Sequence, residues 1–491
     1  MLPLRLRKKL ACLMAVLMAL SSLSCGQGNS SSKKKRKLSS AHAATGPLNV
    51  VMMSLSGLRA DRLAALGNTQ KIMPTLDKFS SQSTVFTKAY APESYTLASL
   101  VSILTGATPP VHKVLYTAPK SDTLNAKQTT LAEVLRHNGY YCLAIASGEQ
   151  TAPFLNLQQG FHRFIYVRSS MADSAPASAP SSRPSRKPSQ QAQMVCEDLQ
   201  DILEREPPTP LFLFLQFSDL QWPCMPPEPF NTKFASPELK PQIDAIYQSG
   251  QLPVFNKNNT ALANALYDGA AAYLDSWLER TLALLEQNGL TRENTLFVLF
   301  SDHGEELFDK HPNYTMSYGC GRSLYDEQIH VPLMISAPGL NAKTVASPVQ
   351  LTGIAATIMD CLKQKLPQDH QPRGRSFIEQ MRSENAKPPL VFSGGNHGRV
   401  AVTDGTMKYI TSNNSYRSNR QKILSSENSE PPQILEEVYN LKTDPAEHRN
   451  MAALRTELVQ RWRPAAQAYL AGQANPQRAS SSQPASQAVA P

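Results

Sequence analysis

Several features are missing from this 491-residue chain, and each absence removes a class of protein. No apolar run approaches the roughly 20 residues that a membrane-crossing helix needs, which excludes a polytopic membrane protein. No Cys-x-x-Cys pair occurs among the seven cysteines, Cys12, Cys25, Cys142, Cys196, Cys224, Cys320 and Cys361, so a zinc ribbon has no support. No basic surplus survives once two short runs are set aside. Of the formal net charge of +10, Arg5, Arg7, Lys8 and Lys9 supply +4 and the run Lys33 to Lys37 supplies +5, leaving +1 for residues 47–491. A nucleic-acid partner needs a basic surface, and none is expected. Internal repeats are absent as well. What is present is ordinary for a globular chain, 41% hydrophobic and 18% charged residues. The length exceeds the roughly 250–300 residues that a single core covers, which points to a large α/β unit with a smaller lobe.

The first 25 residues read as a leader. Four positive charges precede the eleven-residue run Leu10 to Leu20, too short for a permanent anchor and suited to a signal-peptide core. Ser22-Leu23-Ser24-Cys25 resembles a bacterial lipobox, with Ser22 standing where that pattern prefers Leu. Acylation of Cys25 together with the Lys33–Lys37 run would hold the chain at a membrane surface better than either signal alone. Residues 26–46 are a basic, Ser-rich tether, and export to the periplasm or cell envelope is expected. Five cysteines remain in the mature body, an odd number with no pairing legible from spacing.

Residues 169–193, rich in Ser, Ala and Pro, offer almost nothing to bury and read as a disordered insertion. Residues 471–491 read as a tail of similar composition. Between them lie apolar runs at 49–55, 140–146, 211–217, 295–300 and 331–336. These alternate with amphipathic segments at 73–80, 97–104, 130–138, 261–287 and 351–362. That alternation predicts an α/β fold, a mostly parallel sheet covered by helices on both faces, over residues 47–388. The texture then changes. Residues 400–403 and 408–411 flank Asp404-Gly405 as a hairpin, and 437–441 offers a further strand. A closing helix near 452–469 would complete a small antiparallel subdomain over 389–470.

In an open parallel sheet, ligands bind beyond the carboxyl ends of the strands. The first strand runs into Ser54-Leu55-Ser56-Gly57, and the 295–300 strand runs into Ser301-Asp302-His303-Gly304-Glu305. Thr96 stands at the start of the 97–104 helix, where unpaired amides favour an anion or alkoxide. Asp302 and His303 are donor types for Zn, Mn and similar ions.

The ordered motifs carry a resemblance. Asn49 to Asp61 resembles the opening strand of the sulfatase family, within the alkaline phosphatase superfamily. Pro74-Thr75-Leu76-Asp77, Thr96 to Gly106, Gln159-Gly160-Phe161, Ser301 to Leu307, Leu324-Tyr325-Asp326-Glu327 and Val438-Tyr439-Asn440-Leu441 follow in the expected order, over about residues 48–455. The resemblance implies an alkaline-phosphatase-like sheet with a C-terminal antiparallel subdomain. It also implies hydrolysis or transfer of sulfate or phosphate esters at a divalent cation (Ca, Mg, Mn or Zn). Asp302 and His303 fall on family metal ligands, Thr96 on the nucleophile position, and His112 on the segment that follows it and contributes to substrate binding.

The departures are as informative. The family's first-strand metal carboxylate falls at Ser56. The family signature has Cys or Ser, then Pro two residues on and Arg four on, where this chain has Thr96, Ala98 and Leu100. Formylglycine is therefore not expected. Two histidines that contact the anion fall at Gln221 and Cys320. Thr nucleophiles occur in relatives that transfer phosphoryl groups, so the resemblance favours a sulfatase-like hydrolase or transferase with a weakened metal site. The alternative is an inactive pseudoenzyme that keeps the fold as an extracytoplasmic binding or assembly module. Asp61 and Glu305 are the nearby acids able to replace the lost carboxylate.

Overall fold

The computed structural model describes residues 46–117, 120–121, 123–168, 190–311, 318–364, 374–382, 389–395, 398–412 and 436–473. The predicted leader, tether and most of the insertion and tail lie outside the described residues. Eight strands form the central sheet: β1 (Asn49–Leu55), β2 (Thr84–Phe86), β3 (Tyr141–Ser147), β4 (Arg163–Val167), β5 (Leu211–Phe217), β6 (Thr295–Phe300), β7 (Leu333–Ser336) and β8 (Lys343–Val345). Their spatial order is β8-β2-β7-β6-β1-β5-β3-β4. All run parallel except β7, which is antiparallel to both β2 and β6.

Every residue of β1, β5 and β6 is buried, as expected of strands covered on both faces. Successive side chains of β1 enter different cores. Val50 and Met52 pack with α2 (Thr96–Thr105), α3 (Leu131–His137) and α6 (Ile354–Leu362). Val51, Met53 and Leu55 pack with α1 (Pro74–Ser80), α4 (Gln191–Leu203) and α5 (Thr260–Gln287). α3 starts at a full capping box between Thr130 and Glu133. Gly160, at φ +89°, approaches the Glu133 backbone so closely that a Cβ there would collide with it, which accounts for the glycine of the Gln159-Gly160-Phe161 motif.

Two boundaries differ from expectation. α4 begins at Gln191, so the insertion predicted to reach residue 193 ends sooner; Asp219 Oδ1 accepts the free Ala192 N–H at its start. The predicted 331–336 strand breaks at Pro332, and His330–Val331 pairs with Ala89–Tyr90 instead.

The second sheet is antiparallel in sequential order: β9 (Val391–Gly395), β10 (Arg399–Thr403), β11 (Met407–Ser412) and β12 (Glu436–Asn440). Asp404-Gly405 makes the β10–β11 turn, with Gly405 at φ +81°. α7 (Thr456–Leu470) covers one face through the fully buried Trp462. The subdomain docks through a bridge from Glu93 to Gly394 and through Lys408, whose Nζ meets Asp326 at 2.7 Å and Glu447 at 2.6 Å. The five cysteines of the body are free. Among the described residues no helix is long and apolar enough to cross a membrane.

Candidate active site

Four chain segments converge beyond the carboxyl ends of β1, β5 and β6. Ser54 is the penultimate residue of β1 and Ser56 lies two residues on, so both hydroxyls face the α2 side. Thr96 opens α2, which Gly106 closes in the left-handed region at φ +68°. Asp302 and His303 follow β6. Gln221 follows β5, four residues past Phe217.

The hydrogen bonds form one directed network. The Gln221 amide donates to Ser56 Oγ at 2.8 Å and to Thr96 Oγ1 at 2.6 Å. The Ser56 hydroxyl then donates to Asp302 Oδ2 at 3.1 Å, and Ser54 donates to Asp302 Oδ1 at 3.4 Å. His303 Nδ1 lies 2.7 Å from the Gly304 carbonyl and so carries the ring proton. Its Nε2 lone pair receives the Thr96 hydroxyl at 2.9 Å. Ser56 and Thr96 hydroxyls stand 3.3 Å apart. Ser56, Thr96, Asp302 and His303 are all buried. Burial raises the Asp302 carboxyl above its ordinary value, against the opposing pull of His303 and the two serines.

The loop carrying these residues is tied down. Ser99 of α2 donates to the Asp302 carbonyl at 2.6 Å, and Ser301 Oγ accepts from the Leu58 N–H at 2.9 Å. Buried Arg59 grips the next segment through the Glu305 carbonyl at 3.1 Å and the Asp309 carboxylate at 2.8 Å. Gly304 passes against the Glu327 carbonyl with no room for a Cβ.

Two residues predicted near the site are committed elsewhere. His112 uses both ring nitrogens internally: Nδ1 accepts the Val114 N–H at 3.0 Å and Nε2 bonds Ser102 at 2.8 Å. Burial lowers its pKa to about 3, so the neutral ring serves as a packing element of α2 rather than an anion contact. Asp61 is half-exposed and held at 2.8 Å by Arg59 and 2.7 Å by Arg62. Burial opposes its charge, but the two guanidiniums prevail and bring its carboxyl down to about 2. Ser54 and Ser99 belong to the network and were missed from the sequence. The period-two spacing of Ser54 from Ser56 was the signal available for the first.

Glu305 behaves differently from Asp61. It is buried, its Oε2 has no hydrogen-bond partner, and its carboxylate lies within 4.8 Å of ligand atoms of both His303 and Cys320. A carboxylate and an imidazole lone pair converge with two hydroxyls, and a second acid stands close by with an unsatisfied oxygen. This donor set fits a divalent cation.

Comparisons with known proteins give the family and the fold. The family model for sulfatases matches residues 49–364. Arylsulfatase K of Bos taurus is 28% identical over 206 residues, which is 40% of this chain and 35% of that protein. The chain thus matches about a third of the length of that relative. An arylsulfatase of Clostridium perfringens is 22% identical over 460 residues, covering 82% of this chain and 90% of its own. Among solved structures, a phosphonate monoester hydrolase of Agrobacterium radiobacter superposes with a TM-score of 0.65 at 18% identity, over 86% of this chain and 96% of that one. A 2-O GAG sulfatase gives 0.61 at 17%, over 87% and 92%. The chain belongs to the sulfatase family, with the α/β fold of the alkaline phosphatase superfamily.

Proposed function

We propose that the protein is a sulfatase-family hydrolase or transferase that acts on sulfate or phosphate esters with Thr96 as its nucleophile. The observation that carries this reading is the 2.9 Å contact between Thr96 Oγ1 and His303 Nε2, with the Gln221 amide on the remaining side of the hydroxyl. A Thr hydroxyl is a weak nucleophile until its proton has an acceptor, and the His303 lone pair is that acceptor. The α2 amides beside Thr96 favour the anionic group being attacked, and the Gln221 amide steadies the attacking oxygen. In place of the Thr96 hydroxyl proton, a divalent cation would be held by Asp302, His303 and Thr96, with Ser56 a neutral fourth position. When bound, the cation supplies positive charge against the anion and eases loss of the hydroxyl proton. Thr96 in place of Cys or Ser leaves no route to formylglycine, which favours a phosphoryl over a sulfuryl acceptor role.

The leader, Cys25 acylation and the Lys33–Lys37 run would place this body at the outer face of a membrane, with 47–388 as the catalytic unit and 389–470 as its closing subdomain.

The test is turnover of p-nitrophenyl phosphate and p-nitrophenyl sulfate in Mn, Mg, Ca and Zn. Thr96→Ala is expected to lower kcat by at least about 10³-fold while leaving the fold intact by circular dichroism. A second reading, an inactive sulfatase-fold binding module, is favoured by one observation, the neutral Ser56 beside Asp302. It predicts no turnover that Thr96→Ala alters.

A further inference from the structure

Glu305 and Cys320 have no part in the chemistry above, yet they meet next to it. His303, Glu305 and Cys320 each present a ligand atom, all within 4.8 Å of one another, and among the described residues this is the one His, Cys and acid group of that kind. Glu305 is 1% exposed and its Oε2 lacks any hydrogen-bond partner. An isolated carboxylate oxygen at that depth is costly unless a cation or proton joins it. His303 has its Nδ1 proton committed to Gly304, so Nε2 carries the lone pair, which the Thr96 hydroxyl meets at 2.9 Å and which a cation would take in place of that hydroxyl proton. Cys320 is only partly buried, which opens the group toward solvent on one side.

The ligand types discriminate among cations. Calcium and magnesium prefer shells of oxygen, whereas a thiolate with an imidazole selects a softer ion. One nitrogen, one sulfur and one carboxylate leave a fourth tetrahedral position open, the pattern of zinc sites that also hold a substrate or water. The two anionic ligands balance the dication, and the Cys320 proton is released when the metal binds.

We propose that His303, Glu305 and Cys320 form a zinc site in which Glu305 and Cys320 replace the carboxylate lost at Ser56. The proposal rests on the reading of this pocket as a cation site, with the His303 lone pair going to the metal in place of the Thr96 hydroxyl, and it names the metal and the ligands that the family pattern does not provide. Arg59, through its bond to the Glu305 carbonyl, is the positioning residue that holds this acid in place.

The purified full chain, stripped with a chelator, is reloaded separately with Zn, Mn, Mg or Ca, desalted, and assayed for bound metal by mass spectrometry. About one zinc per chain is expected to remain, with Mg and Ca lost. Loading with Co(II) is expected to give a sulfur-to-cobalt charge-transfer band in the near ultraviolet that Cys320→Ser removes. Cys320→Ser and Glu305→Gln should each weaken zinc binding at least about tenfold. Preferential retention of Mg or Ca, or zinc retention and a cobalt band unaltered by Cys320→Ser, overturns the proposal. Thr96→Ala separates this inference from the catalytic reading. An unchanged cobalt band with turnover abolished supports both. Thr96-dependent turnover with zinc binding indifferent to Cys320 overturns only the zinc site, and zinc binding through Cys320 with turnover indifferent to Thr96 overturns only the nucleophile.

Discussion

Two buried charged clusters in this molecule solve the same electrostatic problem in opposite ways. At the junction with the small sheet, fully buried Lys408 sits between the Asp326 and Glu447 carboxylates. Burial works against its ammonium, yet the two acids overcome that cost and raise its pKa. Around Thr96 the pairing is looser, with the His303 imidazole 3.8 Å from Asp302 Oδ2 and Arg59 bonded to the Glu305 carbonyl. Asp302 is answered by the hydroxyls of Ser54 and Ser56, and Glu305 Oε2 by nothing. The first cluster carries its own counter-charge and is complete as a strut. The second leaves a carboxylate oxygen unsatisfied at a place where three strands end, the arrangement expected of the proposed site rather than of a strut.

Breaking the complete cluster has the larger expected effect. Lys408→Met strands the buried Glu447 carboxylate and the partly buried Asp326, and chemical denaturation is expected to show a loss of about 3 kcal/mol. Adding an acid to the incomplete cluster sharpens the contrast. Ser56→Asp puts a second carboxylate next to Asp302, so thermal melts in chelator should show a loss of roughly 1–3 kcal/mol that saturating divalent metal reverses. An equal loss with and without metal would argue that no cation enters. A third effect, read against pH, concerns a buried acid outside both clusters. Burial pushes the Glu93 carboxyl up to about 8 from its ordinary 4.5, against the pull of the Ser94 N–H. The folded chain therefore keeps a proton that the unfolded chain releases, and the associated stability is present below pH 4.5 and lost as pH rises through about 8. Glu93→Gln should flatten that decline, with a gain of about 3 kcal/mol at pH 8 relative to pH 5 in paired melts.

The fold was legible because buried parallel strands are written as unbroken apolar runs. The segments at 49–55, 211–217 and 295–300 emerge with those bounds. Elements that bury little were not legible. The helix Lys240–Ser249 buries only Ile243, so no periodic stripe marks it. α4 opens inside a polar stretch whose composition masks its start. For the candidate site, the convergence of Ser56, Thr96, Asp302 and His303 could be anticipated from their places at strand and helix ends, and Gln221 only from the family resemblance. The uses of single groups could not. His112 and Asp61 are of types that serve a site or a scaffold equally well, and only their partners, Ser102 and Val114 for one and two arginines for the other, decide between these roles. Ser99 is one serine among many until its hydroxyl is seen on the Asp302 carbonyl.

The position of β1 has a consequence for how the chain is made. Its Val50 pairs with Phe212 on one side and its Asn49 with Thr295 on the other, while the small C-terminal sheet links neighbours in order. During synthesis the earliest strand emerges with both edges bare and waits for more than half of the polypeptide before the second is covered. Until then it is an apolar ribbon seeking any partner, so shielding of the nascent N-terminal half, by slow delivery or by a holding chaperone, is expected to govern the yield of correctly folded protein.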